Sequence, residues 1–248
     1  MLVFRGIQVI NLSMALLYAV IADIISSRTL PDRAVAQQEF ESAFQRAAAD
    51  LKLAQAPYPT VGDEFQALAT SLETALTLTL RTNLLLPEGL ALRFGIGAGQ
   101  ARKVGNDDAG AIQDGSAWWA AREAINAAHA AQDAGLGFVR TRFRMASPPE
   151  REGGTPSLPS ESLVNAFLVL RDQAVERMAN RPRRLVAHLL MGATQAEAAH
   201  REGVTQAAVS DLVRGSAAGL LEAQSQLAEI ESDGSVSLLS RRKRRRAQ

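Results

Sequence analysis

Apolar and polar positions alternate along the chain in blocks that predict strands and helices in turn. Leu16 to Ile25 is a continuous apolar run, broken only by Asp23, as in a strand covered on both faces. Pro31-Asp32 opens a helix whose apolar stripe is Phe40, Phe44, Ala47 and Leu51. Pro57 and Pro59 are expected to stop that helix and lead into a hairpin with Gly62-Asp63 at its tip, Phe65, Ala67 and Leu68 returning from it. Ser71 caps a second helix that runs to Leu86 and stops before Pro87. Leu90 to Ala98 is another strand, in which Gly95, Gly97 and Gly99 are spaced by two and mark a close backbone approach. Asn106 to Gly110 is a polar loop, Asp114 to Ala130 a helix with Trp118, Ala121, Ile125 and Ala128 on one side, and Gly135 to Phe143 a last strand. The order β-α-β-β-α-β-α-β describes an α/β (α+β) domain of ferredoxin-like type, with helices packed on a mixed sheet.

Beyond a Pro-, Gly- and Ser-rich stretch, 146–160, the pattern turns entirely helical. Ser162 to Asn180 places Leu163, Phe167, Leu170, Ala174 and Met178 on one face. Helices follow from Pro182 to Met191, Thr194 to Glu202, Thr205 to Val213, and about Ser216 to Glu231. Thr194 with Glu197 three residues on is a capping box, Gly203 suits a left-handed turn, and Val204, Val209 and Leu212 pack the following helix down. That is the pattern of a helix-turn-helix, an all-α module whose second helix would lie in a DNA major groove. In that geometry Thr205, Gln206, Ala207 and Ser210 face bases, while Gln195, Arg214 and the cluster Arg181, Arg183 and Arg184 meet phosphates. An αα-hairpin used only for packing or protein contacts is the plainer alternative.

Charge adds one feature to this layout. The net charge of +1 is uneven: Arg241, Arg242, Lys243, Arg244, Arg245 and Arg246 carry six positive charges, so the remainder stands at −5. From Ser160 to Gly215, seven Arg face six Asp or Glu, so any electrostatic pull on DNA falls to the basic tail. The absence of cysteine excludes disulfides and thiolate metal sites, and three scattered histidines argue against an all-imidazole zinc site. Arg5, Gln8, Asn11 and Ser13 interrupt the apolar N-terminus before it reaches membrane-spanning length, and Met14 is an alternative start. A cytoplasmic protein with no membrane partner is expected. The divisions are an extension over 1–17, the α/β domain over 18–145, a linker over 146–160, the helical domain over 161–231, and a disordered basic tail over 232–248.

Two carboxylates hold the chemical interest. Asp23 in a buried run and Asp63 at a hairpin tip invite the idea of a shared cation, although each has an ordinary explanation in a local ion pair or a turn. The segments Ala22-Asp23-Ile24-Ile25, Gly62-Asp63-Glu64-Phe65-Gln66, Arg93-Phe94-Gly95-Ile96-Gly97 and Trp118-Trp119-Ala120-Ala121-Arg122 resemble the SatD family, which joins such a domain to a helix-turn-helix. The resemblance spans about Tyr18 to Leu220. The same segments are similar to class III nucleotidyl cyclases and, more distantly, to diguanylate cyclases.

The cyclase likeness implies metal contacts from Asp23, Asp63 and the Ile24 carbonyl, with Mg²⁺ clamping the phosphates of a purine nucleotide. It also implies nucleotide contacts around Gly62 and Glu64, a phosphate-steadying role for Arg122, and a homodimer. Pro59 stands where a base-reading lysine would fall, Trp118 where a catalytic asparagine would, and Val61 where the diguanylate pattern has glycine. These departures favour a DNA-binding regulator with a nucleotide- or metal-sensing domain. A metal-dependent enzyme acting on ATP or GTP, and a non-catalytic adaptor, remain as alternatives.

Overall fold

The structure, a computed structural model, describes residues 16–26, 30–60, 63–107, 110–146 and 160–227. Its centre is β1 (Leu17–Ile24), flanked on one side by β3 (Glu64–Ala69) and on the other by β4 (Leu92–Gly99), both antiparallel to it. The hairpin partner β2 (Leu53–Pro59) forms one edge of the sheet, and β7 (Thr141–Met145), parallel to β4, forms the other. The order β2-β3-β1-β4-β7 makes a mixed five-stranded sheet in an α/β fold. A separate two-stranded ribbon, β5 (Arg102–Asp107) and β6 (Gly110–Asp114), occupies the region read from sequence as a polar loop. Positions 108 and 109 lie outside the described residues.

Alternation along β1 sorts its side chains onto two cores. Tyr18, Val20, Ala22 and Ile24 face α1 (Arg33–Ala48) and α2 (Leu72–Leu85), while Leu17, Ala19 and Ile21 face α3 (Ser116–Asp133). Asp32 caps α1 through the Ala34 and Val35 N–H groups, and Ser71 caps α2 through Thr74, as their residue types predict. Helix α1 ends at Ala48, one turn short of the predicted Leu51 and well before Pro57, so the prolines do not stop it. Both prolines lie inside β2, where an edge strand with register shifts accommodates a residue that cannot donate.

The glycine stripe of β4 behaves as its spacing suggests. A Cβ on Gly95 or Gly97 would overlap the α3 backbone at Ala121, and one on Gly99 would come within 2.6 Å of the Ala117 nitrogen. Helix α3 therefore rests directly on β4, at a distance set by hydrogen atoms.

Helix α4 (Glu161–Glu176) corrects the sequence reading of its face. Leu163 and Leu170 are 72% and 68% exposed, and the buried stripe is Val164, Leu168, Arg171, Asp172 and Val175. The shift has a physical reason, because α4 runs along the outer edge of β7 and polar groups make that contact. In β7 the groups of 140 and 146 bond to β4, so the N–H groups of Thr141, Phe143 and Met145 point outward. Asp172 accepts from Thr141 (2.6 Å), the Asn165 side chain both accepts from and donates to Phe143, and Glu161 accepts from Met145 (3.1 Å). Arg171 reaches the other way, to the Leu76 carbonyl and the Thr79 hydroxyl of α2.

Helix α5 (Asn180–Leu190) packs on α2, and a further helical run over 218–227, α8, supplies Leu220 to the same core. Every residue of α2 from Thr74 to Leu85 is thereby buried, its threonines included. Helices α6 (Gln195–Glu202) and α7 (Gln206–Arg214) form a small core of their own with α5, in which Ala198, Ala199 and Val209 meet Leu185. Among the described residues, no helix is long and apolar enough to cross a membrane.

Candidate functional site

At one end of the sheet, pairing brings together residues far apart in sequence. Asp23 lies opposite Glu64 on one side and Arg93 on the other, all on the face that carries α3. The Ile24 N–H donates to the Asp63 carbonyl oxygen at 3.2 Å, so the Asp23–Ile24 and Asp63–Glu64 pairs are joined by backbone. Just beyond, Ser26 takes a left-handed conformation (φ 58°) that turns the chain sharply away. The predicted residues Asp23, Ile24, Asp63, Glu64 and Arg122 thus gather at one place. Gly62 lies outside the described residues.

What these carboxylates bind is arginine. Arg93 donates from Nε to Asp23 at 3.0 Å. Arg33, at the start of α1, pairs with Asp63. Arg122 forks onto Glu64, with nitrogen–oxygen distances of 2.6 and 2.9 Å. Gln66 adds a bond to Glu64 at 2.9 Å and accepts one from the Tyr58 hydroxyl at 3.0 Å. Burial pushes the Asp23 carboxyl above the usual aspartate range against the opposing pull of Arg93, and the neighbouring Glu64 charge adds to the rise.

Magnesium requires several convergent, uncommitted oxygens. Here each of the three carboxylates is committed to a guanidinium, and among the described residues no group of three His, Cys, Asp or Glu is arranged to hold a metal. In this arrangement the donor set does not fit a divalent cation, and no chemical step is routed through one. Arg33 and Arg93 escaped the sequence reading. A usable signal was present for Arg93, because it continues the alternation of Gly95, Gly97 and Gly99 and so shares their face. Trp118 is buried against Ala19 and Ile21, whereas Trp119, one position on, is 69% exposed.

Residues 17–147 match the sequence model of the SatD family, just over half of the chain. The chain belongs to the SatD family. The helices from 160 onward lie outside the matched span, which is shorter than the reach from Tyr18 to Leu220 expected from sequence. Among solved structures, an adenylate cyclase of Trypanosoma brucei in its monomeric state is similar, with 19% identity and a TM-score of 0.38, over 44% of this chain and 68% of that one. No curated protein matches the chain.

The second group of predicted residues lies on α6 and α7. The Thr194 hydroxyl accepts from the Glu197 N–H at 3.2 Å while the Glu197 carboxylate accepts from the Thr194 N–H at 2.7 Å, closing the capping box. Gly203 is left-handed at φ 63°. Thr205 caps α7 by accepting from Ala208, and it is exposed with Gln206, Ala207 and Arg214, while Gln195 and Ser210 are half-buried. Arg214 pairs on the surface with Asp211. Of the neighbouring cluster, Arg184 and His188 both hold Glu202, and Arg183 donates to the Val175 carbonyl. Burial would raise the Glu202 carboxyl, but the bonds from Arg184 and His188 outweigh it and hold it below the ordinary glutamate range. These contacts fix α5 against α6 and leave the start of α7 uncommitted.

Proposed function

We propose that this SatD-family protein is a DNA-binding regulator whose α7 enters the major groove and whose sheet domain is nucleotide-responsive. The observation that carries the reading is the α6–Gly203–α7 unit. Both helix starts are capped, α7 is anchored through buried Val209, and its first turn presents Thr205, Gln206 and Ala207 to solvent. Gln206 and Ser210 read base edges, while Gln195 and Arg214 position the helix on phosphates. The module's near-neutral charge leaves the non-specific part of the affinity to the basic run from Arg241 to Arg246.

The sheet order β2-β3-β1-β4, antiparallel throughout, supports a ferredoxin-like, cyclase-type reading of the first domain. In this reading, the phosphates of a purine nucleotide compete with Asp63 and Glu64 for Arg33 and Arg122. Two copies of the chain, meeting near exposed Trp119, would present two recognition helices to a pseudo-palindromic site.

Fluorescence anisotropy of the full chain tests the proposal, with labelled genomic fragments titrated at moderate salt, with and without ATP or GTP. At least one fragment is expected to compete about tenfold or more better than bulk DNA, well within the range of specific binding. Gln206→Ala is expected to erase most of that margin. If every fragment competes no better than bulk DNA, in the presence and absence of nucleotide, the reading fails.

A further inference from the structure

A second cluster of charge lies at the β7 edge of the sheet, away from Asp23 on the central strand. Arg142 and Arg144 of β7, Ala127 of α3, and Glu161, Ser162 and Val169 of α4 line a cavity of about 430 Å³. Arg144 is neutralised by Glu161. Arg142 is half-buried, and among the described residues no carboxylate lies within ion-pair distance of it. Among the described residues its one hydrogen bond runs at 3.4 Å from Nη1 to the carbonyl oxygen of the adjacent Thr141. Asp172, whose charge acts on it from behind, is already engaged by the Arg140 and Thr141 N–H groups and by Arg171.

A guanidinium held partly out of water with no ion-pair partner costs folding energy that nothing among the described residues returns in full. Burial pulls the Arg142 proton affinity down, the charge of Asp172 behind it offsets part of that fall, and the neighbouring Arg144 adds a smaller lowering. With Arg142 and Arg144 set against Glu161, the cavity carries one net positive charge. Its other polar lining residues are Asn165, whose amide is committed to Phe143, and Ser162 in the first turn of α4, a helix whose Ser160 side chain makes no capping bond. Ala127 and Val169 form apolar walls.

We propose that this cavity binds a small ligand bearing one phosphate or carboxylate group, with Arg142 as the counter-ion and the apolar walls taking the ligand's body. The proposal stands independently of the DNA-binding reading, since it uses none of the same residues. It places a ligand where the sheet edge, α3 and α4 meet, next to the Glu161 contacts that hold the start of α4 to β7.

The test is isothermal titration of the full chain with inorganic phosphate, and separately with acetate, at constant ionic strength set by chloride. The basic tail is common to all variants, so the difference between variants reads the cavity. Arg142→Met is expected to weaken phosphate binding about tenfold, the worth of one charge-assisted hydrogen-bonded contact. Arg142→Lys should restore part of the loss, and Arg46→Met, on α1 across the sheet, should change nothing. Ala166→Trp, at an exposed position on the cavity rim, should block binding with both arginines intact. A stronger response to phosphate assigns a phosphate-bearing ligand, and a stronger response to acetate a carboxylate-bearing one. Equal affinity for both anions in the parent chain, Arg142→Met and Ala166→Trp would overturn the proposal, as would no heat from either anion.

Discussion

Burial works against the charged form of Asp23. Its carboxyl sits above the usual range because burial outweighs the stabilisation that Arg93 supplies. For an acid whose folded-state value is raised, the unfolded chain ionises first. The group therefore favours the fold below the ordinary aspartate value, and that contribution is lost as pH rises through the folded-state value. Toward neutral pH the charged form is therefore the less favourable one for the fold. Asp23→Asn is accordingly expected to raise the melting temperature near pH 7, with the gain shrinking as pH falls toward 4, the region of the ordinary aspartate value. Thermal melts of both proteins across that range check the sign, and an equal or lower melting temperature for the variant at neutral pH would refute it. The sequence exposed Asp23 as anomalous because one carboxylate interrupts an apolar run. Its partner was hidden, since Arg93 lies seventy positions away and becomes a neighbour only when β1 pairs with β4. The same holds for Arg171 and Asp172, adjacent in the chain and both buried, which a reading by hydrophobicity places on the wet side of α4.

Elements were legible where their signals are local. The caps at Asp32, Ser71 and Thr194 are properties of a few consecutive residues, and all three form as the residue types suggest. The glycine alternation in β4 was legible for the same reason, and its consequence can be measured. Gly97→Ala would thrust a methyl group into the α3 backbone at Ala117 and Ala121, where no side chain can rotate away. Overpacking of this kind costs about 1–3 kcal/mol or more. The variant should lose at least that much in urea unfolding, and Arg122, carried on α3, should shift relative to Glu64. Unchanged stability would mean that α3 rides more loosely on β4 than the structure describes. Elements defined by distant pairing were harder to read. The β5–β6 ribbon has no apolar alternation, and β2 contains two prolines that ordinarily argue against a strand. The buried face of α4 is set by the hydrogen-bonding needs of β7, which hydrophobic periodicity does not register.

At the scale of the molecule, α2 is the axis. It is wrapped by the sheet and α1 on one side and by α4, α5 and α8 on the other, and three polar ties cross that second boundary. Arg81 donates to the Leu190 carbonyl, Arg171 to the Leu76 carbonyl, and Gln224 to the Thr77 hydroxyl. A shared core of this kind predicts one cooperative transition for residues up to α8 in calorimetry, with calorimetric and van't Hoff enthalpies in agreement. Two resolved transitions would separate the helices from the sheet and contradict the packing. This unity is hard to read from the chain, because the Pro- and Gly-rich stretch before α4 reads as a boundary while the polar residues that tie α4, α5 and α8 to α2 carry no periodic signal.

The three side chains that α4 lays along β7 have a consequence for how this protein fails. A sheet grows at its edges, and the β2 edge is blunted by Pro57, Pro59 and two register shifts. The β7 edge has a regular backbone, and its outward N–H groups are occupied by Glu161, Asn165 and Asp172 in place of a neighbouring strand. Whenever α4 lifts, by heat, acid or a proteolytic cut ahead of it, that edge becomes a template for another chain. Aggregation would begin there, strand upon strand, with α4 acting in the intact protein as a chaperone in cis.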